Sequence, residues 1–289
     1  MSILLPHHAA QVGALAVQRL LPVRGRRLIG PWCFFDRYGP LSFAEGKPMD
    51  VAPHPHIGLQ TVTWLHSGEV LHNDSLGSEC LIRPGQLSLM TAGRGIAHTE
   101  QTPRKNSGQL EGIQFWVALP QAARDLAPHY QCIEQQPRLE VPGGTLTHIL
   151  GGPSQGTLYS PATGIDLRIH PHSEIELPLE AAFEYGLLLV HGDASFKDGP
   201  LTEGSLYYLE PGSTQLSLAT IGGAKLILIG GAPFGERIVM WWNFVARTSE
   251  EIEAAKKAWD LRERFGEVPG YDGPRLSAPD LLGRVLPRD

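Results

Sequence analysis

The chain alternates short apolar runs with clusters of turn-forming residues. Trp32-Cys33-Phe34-Phe35, Thr61-Val62-Thr63-Trp64-Leu65, Leu87-Ser88-Leu89-Met90 and the stretch 112–119 (GIQFWVAL) are brief and rich in β-branched and aromatic side chains. Runs of that length and make-up predict strands. Asp36-Arg37-Tyr38-Gly39-Pro40 is expected to stop the first strand. Ser67-Gly68-Glu69 is expected to turn the second back through Val70 to Asp74, and Gly93-Arg94-Gly95 to bend the chain sharply. Residues 1–30 read as an irregular lead-in of one or two strands ending at Gly30-Pro31. One segment follows a different period. Thr248-x-x-Glu251 is a capping box, and Ile252, Ala255 and Trp259 recur at i, i+3 and i+7. They predict an amphipathic helix over about 249–265 that covers barrel surface, ended by Gly266 and Pro269. The last 20 residues, with Pro274, Pro279 and Pro287, are expected to form an irregular strap.

The strand pattern occurs twice. Residues 185–192 (YGLLLVHG) resemble 61–68 (TVTWLHSG), 204–209 resemble 85–90, and 224–231 (AKLILIGG) resemble 112–119. A repeat of roughly 120 residues implies two copies of one small β-barrel. The polar, proline-bearing stretch 134–143 is read as the linker between residues 1–133 and residues 144–289.

Composition narrows the picture. The 289 residues suffice for two cores, and 42% hydrophobic with 19% charged residues is the balance of a folded chain. A net charge of −6, with a single short basic cluster from Arg24 to Arg27, excludes direct nucleic-acid binding. There is no run of 18 apolar residues and no charged-then-apolar leader, so a cytoplasmic protein without membrane contact is expected. Cys33, Cys80 and Cys132 are few and far apart and are expected to be buried free thiols.

The candidate chemistry lies between Pro53 and Glu100. His54-Pro55-His56 and His98-Thr99-Glu100 are each spaced i, i+2, so on a strand each pair projects two donors to one face. Brought together by the glycine bend, they form a set of three imidazoles and one carboxylate. Such a set suits a divalent ion of iron, manganese, nickel, copper or zinc and leaves room for exogenous ligands. Trp64 is a candidate pocket wall, with core packing the stronger reading. Counting from the turn glycines puts Glu180 and Gln215 at the corresponding places in the second copy, which is therefore expected to lack the metal. His170-Pro171-His172 falls out of register and is read as a coincidence of spelling.

A family resemblance rests on these residues and several others. Arg27-Leu28-Ile29-Gly30-Pro31 with Phe35-Asp36, the His54-Pro55-His56 pair, Thr61-Val62-Thr63, His72-x-Asp74-Ser75-x-Gly77 and Gly95-Ile96-x-His98-x-Glu100 resemble the pirins of the cupin superfamily. So do Gly230-Gly231-x-Pro233, the Trp242-Asn243-Phe244-Val245-x-Arg247-Thr248 stretch and Gly266-Glu267-Val268-Pro269-Gly270. The resemblance implies an all-β bicupin, two barrels packed face to face, with a short C-terminal helix and one metal, commonly iron(II), in the N-terminal barrel. Its ligands would be His54, His56, His98 and Glu100. Gln60, where many pirins carry glutamate, is one departure. The extended N-terminus with His7 and His8, read as surface residues, is another. By similarity to quercetin 2,3-dioxygenase, the resemblance implies a flavonol-like aromatic substrate and dioxygen, with Glu100 as general base. The alternative it carries is an iron-binding, redox-sensitive regulator that acts through protein partners. A monomer is expected.

Overall fold

The computed structural model describes residues 2–13, 15–44, 46, 48–196 and 199–285. The described residues form strands and one helix and divide into two compact units. One unit, here the histidine unit, comprises 9–18, Asp36–Glu134 and the chain from Gly235 on. The companion unit takes the residues up to His8, Arg19–Phe35 and Gln135–Phe234. The stretch 134–143 is not purely a linker, because Arg138–Val141 pairs with Gly144–Leu150. That strand lies at a sheet edge, where polar side chains are tolerated, and its composition hides it.

A seven-stranded sheet, most of it in the histidine unit, runs in the order His129–Ile133, Leu87–Thr91, Leu59–Gly68, Gln109–Ala118, Trp32–Ser42, Leu15–Leu21, His8–Val12. A four-stranded sheet runs Asp50–His56, Ile96–Gln101, Val70–Asp74, Glu79–Ile82. The companion unit repeats both orders strand for strand. Its larger sheet is Ser2–Leu4, Leu206–Leu209, Glu184–Gly192, Ala224–Gly231, Ala162–Ile169, Gly144–Leu150, Arg138–Val141. Its smaller sheet is Ser173–Pro178, Gln215–Thr220, Ser195–Phe196, Gly199–Pro200. The matched segments of the internal repeat therefore hold the same places in the two units.

Each unit buries the inward faces of its sheets. In the companion unit Leu167, Leu187, Leu189, Leu226 and Leu228 pack against Ile175, Leu177, Leu216 and Leu218. In the histidine unit Leu15, Val17, Tyr38, Leu65 and Leu110 meet Val51, Val70 and Ile82, and polar side chains take the remaining space. The strand from Trp32 is not stopped at Asp36. It continues to Ser42 between its sheet neighbours Gln109–Ala118 and Leu15–Leu21, and Gly39, at φ 80°, lies so near the carbonyl of Leu110 that a Cβ there would stand 2.3 Å from it. Two of the three cysteines are not the free thiols their spacing suggests. Cys80 and Cys132 form a disulfide across 52 residues, because each lies on an edge strand, one in either sheet, and Cys33 is a buried thiol outside it.

The helix spans Ser249–Asp260, five residues shorter than its pattern suggests. Thr248 caps it by accepting from the amide of Glu251. It ends because Arg262 and Arg264 take positive φ, turning the chain so that Phe265 folds back into the core that Ile252, Ala255 and Trp259 enter. That core includes Ile57 and Ala97, so the helix seals the outside of the histidine-bearing strands. A two-toothed ion pair between Arg124 and Glu251, both contacts 2.6 Å, fixes its first turn and holds the Glu251 carboxyl down at about 2. The strap follows. Leu276 donates to the carbonyl of Pro53 and accepts from the Trp259 indole, while Arg275 lies over the Trp259 ring; Pro287 lies outside the described residues. No helix among the described residues is long and apolar enough to cross a membrane.

Candidate metal centre

Asp50–His56 is an edge strand, which is why it accepts Pro53 and Pro55, neither able to donate to a ladder. It pairs antiparallel with Ile96–Gln101, placing His98 opposite His54 and Ile96 opposite His56. The register then shifts, so that Ala52 and Pro53 oppose Thr99 alone and Glu100 comes to face Val51. Strand alternation turns His54, His56, His98 and Glu100 inward, and all four are buried. Gly93 makes the preceding bend with φ 50°, where a Cβ would stand 2.1 Å from the carbonyl of Leu126.

The candidate ligand nitrogens of His54, His56 and His98 all lie within 4.8 Å of one another. Hydrogen bonds decide which nitrogens these are. His54 Nδ1 lies 2.9 Å from the carbonyl of Ala52, and His56 Nδ1 lies 3.0 Å from that of Asn243. A carbonyl only accepts, so both Nδ1 atoms carry the proton and both Nε2 atoms present lone pairs. His56 Nε2 stands 3.1 Å from His98 Nε2. Two nitrogens held at right angles on one ion by bonds of about 2.1 Å stand about 3.0 Å apart. The donor set and its spacing fit a divalent metal. Burial holds all three imidazoles neutral, with His54 brought down to about 4 and His56 and His98 well below their ordinary range.

Glu100 is not part of the 4.8 Å group. Its Oε1 lies 3.0 Å from Thr63 Oγ1, which is also 2.9 Å from the Gln114 amide oxygen. Thr63 has one proton to give, and the carboxylate is the stronger acceptor. The chain closes when Gln114 presents its amide nitrogen to Thr63. Burial raises the Glu100 carboxyl above its usual range, against the pull of His72 and Thr63.

The folded state thus takes up fewer protons at its histidines than the unfolded chain does. Metal-free protein should lose stability as pH falls from about 6.5 toward 4, by up to about 1.4 kcal/mol per pH unit for each imidazole. Glu100, shifted upward, works in the opposite sense as one group against three. Melting curves of chelator-treated protein between pH 7 and 5 check this: the melting temperature should drop steadily, and a flat profile would contradict neutral buried rings.

Several groups at the site escape a reading of spacing. Trp116 meets His56 edge to face at 5.2 Å between ring centres. Tyr38, expected to lie in a turn, projects a buried hydroxyl without a hydrogen-bond partner beside Gly112, whose missing side chain leaves it room. Burial and then the charge of Glu100 keep that phenol protonated. Trp64 is buried on the strand face opposite Thr63 and so faces away from Glu100. His72 and Tyr130 stack at 4.1 Å, with His72 against His98. Inward polarity at alternate strand positions is the signal that could have marked Thr63 and Gln114.

In the companion unit the inward pairs of the corresponding strands are Ile175 with Leu177 and Leu216 with Leu218. By register, Ile175, Leu177 and Leu218 are the counterparts of His54, His56 and His98, and Leu216 that of Ile96. Glu180 and Gln215 are exposed and lie outside that set, as are His170 and His172. An apolar core stands where the other unit has donors.

Two units of the same strand order, one enclosing a histidine cluster, define a bicupin with a divalent-metal site in one half. The chain belongs to the pirin family: the family models described as Pirin and as Pirin C-terminal cupin domain match residues 14–117 and 164–266. A Pseudomonas aeruginosa protein provisionally named quercetin 2,3-dioxygenase is 46% identical over 284 residues, covering 96% of this chain and 90% of that one. A crystal structure of quercetin 2,3-dioxygenase from Acinetobacter baumannii superposes with a TM-score of 0.93 at 40% identity, covering 97% of this chain and 95% of that one. The Escherichia coli pirin YhhW, solved in complex with nickel(II), shares the fold with a TM-score of 0.63 at 17% identity, over 81% of this chain and 100% of that one.

Proposed function

We propose that the chain is a metal-dependent dioxygenase that opens the ring of a flavonol-like substrate, with His54, His56, His98 and Glu100 holding the metal. The observation that carries this reading is the convergence of three imidazole nitrogens in a buried space bounded by a carboxylate and aromatic rings. Relatives named quercetin 2,3-dioxygenase support it. Iron(II) is the proposed metal. When bound, such an ion supplies the Lewis acidity that lowers the pKa of an aromatic hydroxyl and the redox coupling to dioxygen.

The chain's own residues do the rest. Glu100, with one oxygen held by Thr63, takes the substrate hydroxyl proton on the other, and its raised pKa suits it to that task. Trp116 offers an aromatic wall, and the Tyr38 phenol is a donor for a substrate oxygen. The products are the ring-opened ester and carbon monoxide.

Oxygen uptake by iron-loaded protein with quercetin tests the reading. Uptake should be lost in His98→Ala. It should fall about 10²- to 10⁴-fold in Glu100→Gln at equal metal loading, the usual worth of a general base. No uptake by protein shown to contain iron would overturn the enzymatic reading in favour of non-catalytic metal binding. Full turnover in Glu100→Gln would remove the base from the mechanism.

A further inference from the structure

The third histidine differs from its partners in what holds it. His54 and His56 give their Nδ1 protons to backbone carbonyls, whereas His98 Nδ1 faces another imidazole, the Nδ1 of His72, at 3.3 Å. His72 Nε2 in turn lies 3.3 Å from Asp74 Oδ2. Asp74 is fully buried, and its other oxygen accepts from the amides of Leu76 at 2.9 Å and Ser78 at 3.0 Å. The three groups sit on adjacent strands, with His98 directly opposite Asp74 and Glu100 opposite His72. Tyr130 lies flat on the His72 ring, with planes 3° apart, and fixes its orientation.

Donor and acceptor roles follow in one direction only. An ionised carboxylate accepts, so His72 Nε2 carries a proton and donates it to Asp74. His72 Nδ1 is then a lone pair, and the proton between the two rings belongs to His98 Nδ1. His98 Nε2 is left bare, facing His56 Nε2. We infer that Asp74 and His72 are positioning residues that lock His98 into the Nε2-ligating tautomer, so that a carboxylate off the ligand set governs how strongly the metal is held. This rests on the proposed metal site and deepens it. Hydrogen-bonded partners of ligand imidazoles commonly set tautomer, ring orientation and basicity, and their loss typically costs about 10- to 100-fold in metal affinity.

Asp74→Asn separates this role from simple packing. The substituted amide keeps its oxygen on the Leu76 and Ser78 backbone N–H groups and turns its NH₂ toward His72. His72 must then accept at Nε2 and carry its proton on Nδ1, His98 must accept at Nδ1, and the His98 proton moves to Nε2, the metal-facing atom. His72→Phe keeps a ring against Tyr130 but removes the acceptor. His72→Gln can accept from His98 through its oxygen and donate to Asp74 through its nitrogen, which restores the chain.

Affinity for nickel(II), chosen because it binds imidazole and is stable in air, is measured by competition with a chromogenic chelator. Asp74→Asn and His72→Phe should each bind about 10- to 100-fold more weakly, the double variant no more weakly than either alone, and His72→Gln within about threefold of wild type. Nitrogen-15 spectra of histidine-labelled, metal-free protein provide an independent readout. His98 should carry its proton on Nδ1 in wild type and on Nε2 in Asp74→Asn. Wild-type affinity in Asp74→Asn, or an unchanged His98 tautomer, would overturn the inference. If wild type bound no nickel(II), iron(II) or zinc(II), the metal reading itself would fall, and the spectra would still decide the tautomer.

Discussion

His98→Ala protein should purify folded with less than about a tenth of the metal carried by wild type, since two imidazoles bind a divalent ion far more weakly than three. The substitution removes the ring that stands 3.1 Å from His56 Nε2 and leaves His72 Nδ1 without its donor. Fold stability of the metal-free form should fall by about 1 to 3 kcal/mol, the cost of a buried acceptor left unpaired at His72 Nδ1. Metal analysis beside a melting curve separates the two effects. Equal metal content in variant and wild type would show that His98 is not a ligand.

Phe244→Ala should produce the largest loss of stability, about 3 to 5 kcal/mol, as expected for a fully buried aromatic side chain. Phe244 packs on Trp242 and stacks with Phe265, and its strand makes a parallel bridge to Ile57. The consequence reaches the metal, because the neighbouring residue Asn243 supplies the carbonyl that orients His56. Trp259→Ala removes a comparable side chain from the same cluster without touching Asn243. Both variants should melt early in denaturant titrations. Below the transition, only Phe244→Ala should also bind nickel(II) more weakly, and equal affinities would uncouple the two roles.

How far the sequence could be read depended on the range of the interaction. The i, i+2 spacing of His54 with His56 and of His98 with Glu100 is local, and strand geometry alone turns each pair inward. The repeat was legible for the same reason, since Thr61–Gly68 and Tyr185–Gly192 carry matching strand patterns. The strand through Tyr38 is hidden because Gly39-Pro40 spells a turn, and only its pairing with neighbours distant in sequence carries the chain on. The disulfide was missed because the approach of two sheet edges leaves no trace in cysteine spacing. His72 lay in plain view within the His72-x-Asp74-Ser75 stretch, yet its bond to His98 depends on the pairing of two strands. The equivalents of the histidines in the companion unit were misplaced by counting from glycines, because loops of unequal length intervene.

The exchange of segments between the units has a consequence for how the protein is made. Every residue of the companion unit, up to Phe234, has been synthesised before the closing segment of the histidine unit begins. His56 must wait 187 residues for the carbonyl that orients it. On the ribosome the second repeat therefore has all its parts before the first, and the metal site is among the last features of the nascent chain to be completed.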